Sequence, residues 1–284
     1  MPDKSLQQSP LHEEHLRLGG RLVNFAGWQM PVQYSGILEE HRAVRKSCGI
    51  FDISHMGQVI IQGDKAAGWL NTILTGNIHA LEESAALYTL MLNENGGVID
   101  DLIAYRTGSD AFLLVINASM TEEVFAWLKL HLDTGIILEN HSTEFAAIAV
   151  QGPKAGELAI EMLAGSGCQM PARNTLSHFQ GENGTTYLCG TGYTGEPGFE
   201  LLCPVKDITQ WFNSALRAGA IPCGLGARDS LRLEMGFPLN GSDLSAERTP
   251  LAAGLGFFVD LEKENFIGRK ALLQEKENGI IEKL

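Results

Sequence analysis

Two aspartates, Asp100 and Asp101, stand side by side in GGVIDDLIAYR (residues 96–106), where the flanking Val98, Ile99, Leu102 and Ile103 ask for a strand. Carboxylates are the groups that move protons and stabilise a developing cation. Successive strand side chains point to opposite faces. Asp100 is therefore expected to lie with Val98, Leu102 and Ala104, and Asp101 with Ile99, Ile103 and Tyr105. On that reading the two carboxylates point apart and cannot act as one dyad. Each needs its own explanation.

Two further stretches carry residue types suited to binding. In GTGYTGEPGFEL, Gly192, Gly195 and Gly198 allow positive φ and a close backbone approach to a ligand. They lead into Glu200, whose plainer alternative is a solvent-facing strand residue. In GLGARDSLRLEMG, Arg228 and Arg232 lie four apart and share one helical face near its N-terminus, an arrangement that attracts a carboxylate or a planar heterocycle. The alternative there is an internal salt bridge with Asp229 or Glu234. Other chemistries fail on pattern. His12-Glu-Glu-His15 lacks the spacing of a zinc helix, and no metal site is expected. The glycine stretches lack both the GK[ST] ending and an intact G-x-G-x-x-G, and no G-x-S-x-G elbow occurs.

The elements that must position these residues follow from periodicity and punctuation. Helices are expected over 11–19, over ILEEHRAVRKSCG up to Gly49, over DKAAGWLNTIL with Asp64 as N-cap, and around 124–132 behind a Ser119–Glu122 capping box. Further helices are expected from Pro153 and near 206–218, stopped by Gly219. Strands are expected at 58–63, at ALYTLMLN and GVIDDLIAYR around the turn Glu94–Gly97, at 111–117, at EFAAIAV, and on both sides of the GTGYTGEPG loop. Helices mixed with hairpins predict an α+β fold with mainly antiparallel sheets.

The chain has 284 residues, 44% hydrophobic and 19% charged, enough for one large or two modest domains. Its net charge of −13, with no long basic run, argues against nucleic acid as a partner. The polar start MPDKSLQQSPLHEEH has no apolar signal core, and no run of apolar residues is long enough for a membrane span. Five scattered cysteines without a CxxC fit reduced thiols and a cytoplasmic location.

NFAGWQMPVQYSGILEEHRAVRKSCGIFDISHMG, LNENGGVIDDLIAYR, QGPKA, GTGYTGEPGFEL, CGLGARDSLRLEMGFPLNGSDL and TPLAAGLGFFVDLEKENFIGRKAL together closely resemble the T-protein family of the glycine cleavage system, in order from about residue 9 to the end. Related iron–sulfur assembly and tRNA-modification proteins typically carry a cysteine-bearing K-G-C-Y-x-G-Q motif late in the domain. Here FIGRKAL stands in its place. Dimethylglycine and sarcosine dehydrogenases share the module but attach it to a flavin oxidase.

The resemblance implies a folate-binding aminomethyltransferase-like fold of two interleaved subdomains, 1–45 with 140–245 and 46–139 with 246–280. It implies transfer of the methylene of an aminomethyl-lipoyl arm, carried by a partner H-protein, to the co-substrate tetrahydrofolate, with release of ammonia in glycine catabolism. It matches Asp100 to the folate-facing aspartate, expected to be catalytic, and leaves Asp101 a structural carboxylate held by backbone or an arginine. Glu200 and Arg228 match the folate-binding glutamate and arginine. Met56, Tyr88, Asn117 and Tyr193 match positions lining the folate pocket, and Phe257 stands where the family has tryptophan. Family members continue into a C-terminal β-barrel that adds an arginine to the folate site. Without it the resemblance implies weak folate binding, poor transfer and exposed apolar surface at Phe257 and Phe258. The competing expectation is a folate-binding fragment or assembly factor without transferase activity.

Overall fold

The computed structural model describes residues 6–279. Each of its two units draws on two stretches of chain: unit 1 on Met1–Met56 and Ser142–Phe237, unit 2 on Gly57–His141 and Pro238–Leu284. The first junction falls after 56 rather than 45 because the intervening strand pairs within unit 1.

Along the chain, unit 1 begins with β1 (Gln7–Gln8), α1 (His12–Arg17), β2 (Arg21–Phe25), β3 (Trp28–Gln33), α2 (Ile37–Lys46) and β4 (Gly49–Asp52). Unit 2 follows with β5 (Gly57–Gln62), α3 (Ala66–Ile73), β6 (Ala86–Leu92), β7 (Val98–Gly108), β8 (Ala111–Ile116), α4 (Thr121–Leu130) and β9 (Ile137–Asn140). Unit 1 resumes with β10 (Phe145–Gln151), α5 (Ala155–Met162), β11 (Leu176–Gln180), β12 (Thr185–Cys189), β13 (Gly198–Pro204), α6 (Ile208–Arg217), β14 (Ile221–Pro222) and α7 (Leu225–Glu234). In unit 2, α8 (Arg269–Asn278) comes last.

Unit 1 holds a sheet ordered β11-β12-β13-β10-β4-β14 and a small one ordered β1-β3-β2. Among the described residues of these two sheets, only the β1–β3 and β4–β14 pairings are parallel. The central β10, FAAIAVQ, reads as a nearly unbroken apolar run because both of its faces are buried. In α6, Ile208, Phe212 and Ala215 recur at helical spacing and enter the same core as Ile148, Phe199 and Leu201. Unit 2 is an antiparallel sheet ordered β6-β7-β8-β5-β9, with a core of Ile61, Leu70, Phe112 and Leu114.

Several local expectations are corrected. Lys65, not Asp64, occupies the N-cap of α3, and no side chain caps it. A 3-10 turn, Ala118–Met120, takes the place of the Ser119 capping box. Helix α5 starts two residues after Pro153. The β2–β3 hairpin lay outside the sequence reading because its two-residue loop is Ala26-Gly27. Both residues have positive φ (51° and 83°), and alanine is no signal for such a turn. Phe257 and Phe258 lie in a 3-10 turn. No helix among the described residues is long and apolar enough to cross a membrane.

Gly97 opens β7 where the chain passes under the 246 loop of the same unit. A Cβ there would sit 1.8 Å from the Ala246 carbonyl oxygen. Gly97→Ala is expected to destabilise unit 2 by about 3 kcal/mol, the upper range for overpacking. Thermal denaturation checks this; an unchanged melting temperature would show that the loop yields freely.

Candidate functional site

In unit 2 the β6–β7 ladder carries a bulge just before the aspartates. Met91 pairs with Asp100 and Leu92 with Val98, so Ile99 is the extra residue. The bulge resets the faces. Val98 joins Leu90 and Leu92 in one cluster, whereas Ile99 joins Met91, Leu102 and Ala104 in another. Asp100 stands on the Leu102 face, turned toward that core and 0% exposed. Asp101 stands on the other face and is only partly buried. Alternation holds beyond the bulge, but the open face is the one opposite to that expected.

Asp100 Oδ2 accepts from the Asn117 backbone N–H (3.2 Å), and its Oδ1 accepts from Asn117 Nδ2 (2.8 Å) and Asn240 Nδ2 (2.7 Å). Burial, reinforced by the Asp101 charge, pushes its pKa up to about 7 against these donors. Asp101 is also raised, chiefly by burial, against the Tyr88 hydroxyl (2.9 Å) and Asn117 Nδ2 (2.9 Å) that donate to it. The ladder explains these neighbours. Ile103 pairs with Val115, so Asn117 falls opposite Asp101 just past the end of β8. Tyr88 lies two residues from Leu90, the partner of Asp101. Of the expected partners of Asp101, the backbone contributes a hydrogen bond, while a phenol and an amide stand where an arginine was the alternative.

In unit 1, Glu200 sits on β13 only 7% exposed and accepts from Thr191 Oγ1 at 2.6 Å, so it is no solvent-facing residue. Arg232 takes the internal bridge, with its Nε donating to Asp229 (2.9 Å) and its Nη1 to the Phe237 carbonyl (3.1 Å). Arg228 instead lies over the Tyr193 ring, 4.9 Å from its centroid, and Tyr193 stacks on Phe237. Its Nη1 is buried without a hydrogen-bond partner among the described residues. Burial lowers the Arg228 pKa, opposed by the charge of Glu200.

The loop holding Tyr193 uses its glycines differently from expectation. Only Gly195 has positive φ (80°). A Cβ at Gly192 would meet Gln151 Oε1 at 1.9 Å, and one at Gly198 would meet the Val150 carbonyl at 2.3 Å. Gln151 in turn donates to the Thr191 carbonyl and accepts from Thr194 Oγ1, tying the loop to β10.

A buried polar chain in unit 1 escaped the sequence reading. Tyr34 OH meets His15 Nδ1 (2.9 Å), and His15 Nε2 meets Asp52 Oδ2 (2.8 Å). Ser9 Oγ donates to the same carboxylate, and Asp52 Oδ1 accepts from the Ser54 N–H at 2.9 Å. The last bond and Met56 N–H to the Ile53 carbonyl fold residues 53–56 into a turn that presents His55 and Met56. His55 is 4% exposed, its Nδ1 has no hydrogen-bond partner among the described residues, and burial pushes its pKa down to about 4, leaving the ring neutral. No single motif announces Asp52, because its partners come from Ser9, His15 and Ser54. Asn240 and Thr191 were missed for the same reason. Phe257, expected to line a pocket, is 93% exposed, its ring edge-on to Phe258 at 5.5 Å. Among the described residues no cluster of His, Cys, Asp and Glu could hold a metal ion.

The family model described as the GCVT N-terminal domain matches residues 11–263. An aminomethyltransferase of Desulfitobacterium hafniense (strain DSM 10664 / DCB-2) is 43% identical over 284 residues, covering 98% of this chain and 78% of that protein. One from Geobacillus thermodenitrificans (strain NG80-2) is 44% identical over 285 residues, covering 96% and 76%. The solved structure of glycine cleavage system aminomethyltransferase T from Bartonella henselae superposes with a TM-score of 0.90 at 34% identity, covering 97% of this chain and 76% of that one. With matches of this extent, the chain belongs to the aminomethyltransferase (GCVT) family of the glycine cleavage system.

Proposed function

We propose that the chain transfers the methylene of an S-aminomethyl group, carried on the lipoyl arm of an H-protein, to tetrahydrofolate. The balance is R–S–CH2–NH2 plus the two N–H groups of tetrahydrofolate, giving 5,10-methylenetetrahydrofolate, NH3 and R–SH. One folate hydrogen leaves with the amine and the other with the sulfur. The observation that carries this reading, in a chain of this family, is the buried Arg228 guanidinium. It has one unpartnered nitrogen, is stacked on Tyr193 and feels the charge of Glu200. A cation left with a free donor against an aromatic face suits a planar, polar heterocycle.

In this reading Glu200, Arg228, Tyr193 and Met56 of unit 1 hold folate. In unit 2, Asp101, flanked by Tyr88 and Asn117, is the carboxylate open to proton transfer, since Asp100 is sealed by its donors. Asp101 accepts a proton from a folate nitrogen and stabilises positive charge on the transferred carbon. Phe257 is left out of the folate contacts on its exposure. The free cysteines agree with a reducing, cytoplasmic setting.

The test is ammonia release from aminomethyl-lipoyl H-protein with and without tetrahydrofolate. Folate-dependent release supports transfer; folate binding without release would make the chain a non-catalytic folate binder. Arg228→Lys is expected to weaken folate binding roughly tenfold or more although charge is kept, because lysine loses the planar fork and the stacking. Unchanged affinity in both Arg228→Lys and Arg228→Ala, by titration of the intrinsic fluorescence, would assign the arginine a purely internal role.

A further inference from the structure

Asp100 is sealed, but its partners make it more than an inert core carboxylate. All three are donors, and one of them, Asn117 Nδ2, also reaches Asp101 Oδ1 and the Asp101 carbonyl, each at 2.9 Å. An amide nitrogen carries two hydrogens, and here three acceptors compete for them. We propose that Asp100 is a positioning residue that sets the state of Asp101 through the Asn117 amide, the two aspartates sharing one exchangeable proton as a pair. The catalytic side of this inference rests on the transferase reading above.

The consequence follows from counting donors and acceptors. With both carboxylates ionised, Asn117 divides its hydrogens between them. A proton arriving on Asp100 makes one of its oxygens a donor, and the groups facing those oxygens are donors already. One contact must open. When it is that of Asn117 Nδ2, both amide hydrogens pass to Asp101, whose ionised form is then held more firmly. Burial and the Asp101 charge favour the proton on the inner residue.

The other titratable groups on the surrounding elements are already engaged. On β6, the Tyr88 hydroxyl donates to Asp101, and on the Asn240 loop the Asp243 carboxylate accepts from the Leu239 N–H (2.9 Å). The arrangement keeps Asp101 anionic while a proton is stored one amide away, out of water. Groups coupled in this way titrate in steps that belong to the pair.

The test is a carboxyl-carbon NMR titration of the full chain labelled with [4-13C]aspartate. In the wild type, the Asp101 signal is expected to show, besides its own inflection, one near pH 7 shared with Asp100, where the inner carboxyl takes its proton. Asp100→Asn should lose the shared inflection. Asn117→Ala should keep it on Asp100 and lose it on Asp101. Should Asp100→Asn not fold, Asn240→Ala removes a donor from Asp100 and the Ile99 carbonyl but none from Asp101, and should move the shared inflection to higher pH in both signals. A single inflection at Asp101 in the wild type, or the same curve in Asn117→Ala, overturns the pairing. In turnover, kcat should carry the shared inflection and Asp100→Asn should lose it with folate KM unchanged. Coupled carboxyls without a trace in kcat overturn the positioning role. Absence of ammonia release by the wild type overturns the transferase reading and leaves the titration to decide the pairing.

Discussion

Asp101→Asn is expected to cut folate-dependent ammonia release by roughly a hundredfold or more, the scale of a lost general acid–base group, with the fold intact. The substitution is nearly isosteric. The new amide oxygen still accepts from Asn117 Nδ2, and the Tyr88 hydroxyl, freed from donating to a carboxylate, rotates to accept from the new amide N–H. What disappears is the negative charge on the open face of β7 and the capacity to take a proton. The defect should lie in kcat, with folate KM close to wild type, because the folate grip proposed here rests on Glu200, Arg228 and Tyr193. Circular dichroism and a melting curve separate this from unfolding. Near wild-type turnover in Asp101→Asn would remove the carboxylate from the chemistry.

The sealed neighbour has a different signature. The Asp100 pKa is raised from its ordinary 3.8 to about 7, so between those values the folded chain holds a proton that the unfolded chain does not. Its contribution to stability is fully present below about pH 4 and is lost as pH rises through about 7. Asp100→Asn should flatten that part of the stability profile.

Much of the architecture was legible in the sequence, because strand alternation, helical spacing and turn residues act locally. GGVIDDLIAYR is a strand after a tight turn, and GARDSLRLE is a helix. The family motifs carried the folate-binding expectation to Glu200 and Arg228; Glu200 is buried, and Arg228 is half-buried with its Nη1 out of solvent. At the aspartates only the residues before the pair change sides, and the pair itself alternates as expected. Period-two counting assumes an unbroken ladder, and one bulged residue, Ile99, exchanges the face of everything before it. Which face is open depends on what packs against the sheet, a long-range fact that no local pattern carries. Glycine made a similar trap. Gly192 and Gly198 are required by crowding from Gln151 and Val150 rather than by φ, and crowding is invisible until β10 and the loop are brought together.

The largest stability effect is expected at Asp52. Asp52→Ala strips acceptors from His15 Nε2, the Ser9 hydroxyl and the Ser54 N–H at once, all buried, and leaves a cavity. Leaving those three buried donors unpaired costs about 1–3 kcal/mol each, which for a chain of this size lowers the melting temperature by roughly 10 °C or more. Asp52→Asn should cost far less. In the neutral ring His15 donates from Nε2 to the carboxylate and accepts from Tyr34 at Nδ1; with asparagine present the tautomer reverses, Nε2 accepting from the amide and Nδ1 donating to the Tyr34 oxygen. Equal losses in the two variants would show that charge, not hydrogen-bond count, holds the network. Burial alone would raise the Asp52 pKa, but the bonds from His15, Ser54 and Ser9 outweigh it and the value is lowered. The proton-linked contribution is therefore present above the ordinary 3.8 and is lost only as pH falls through the depressed value, so the gap between wild type and Asp52→Ala should narrow in acid. Because the Ser54 bond also folds the turn that presents His55 and Met56, Asp52→Ala should weaken folate binding at temperatures where unit 1 is still folded. Binding at wild-type affinity there would separate the network from the site and leave it a purely structural feature.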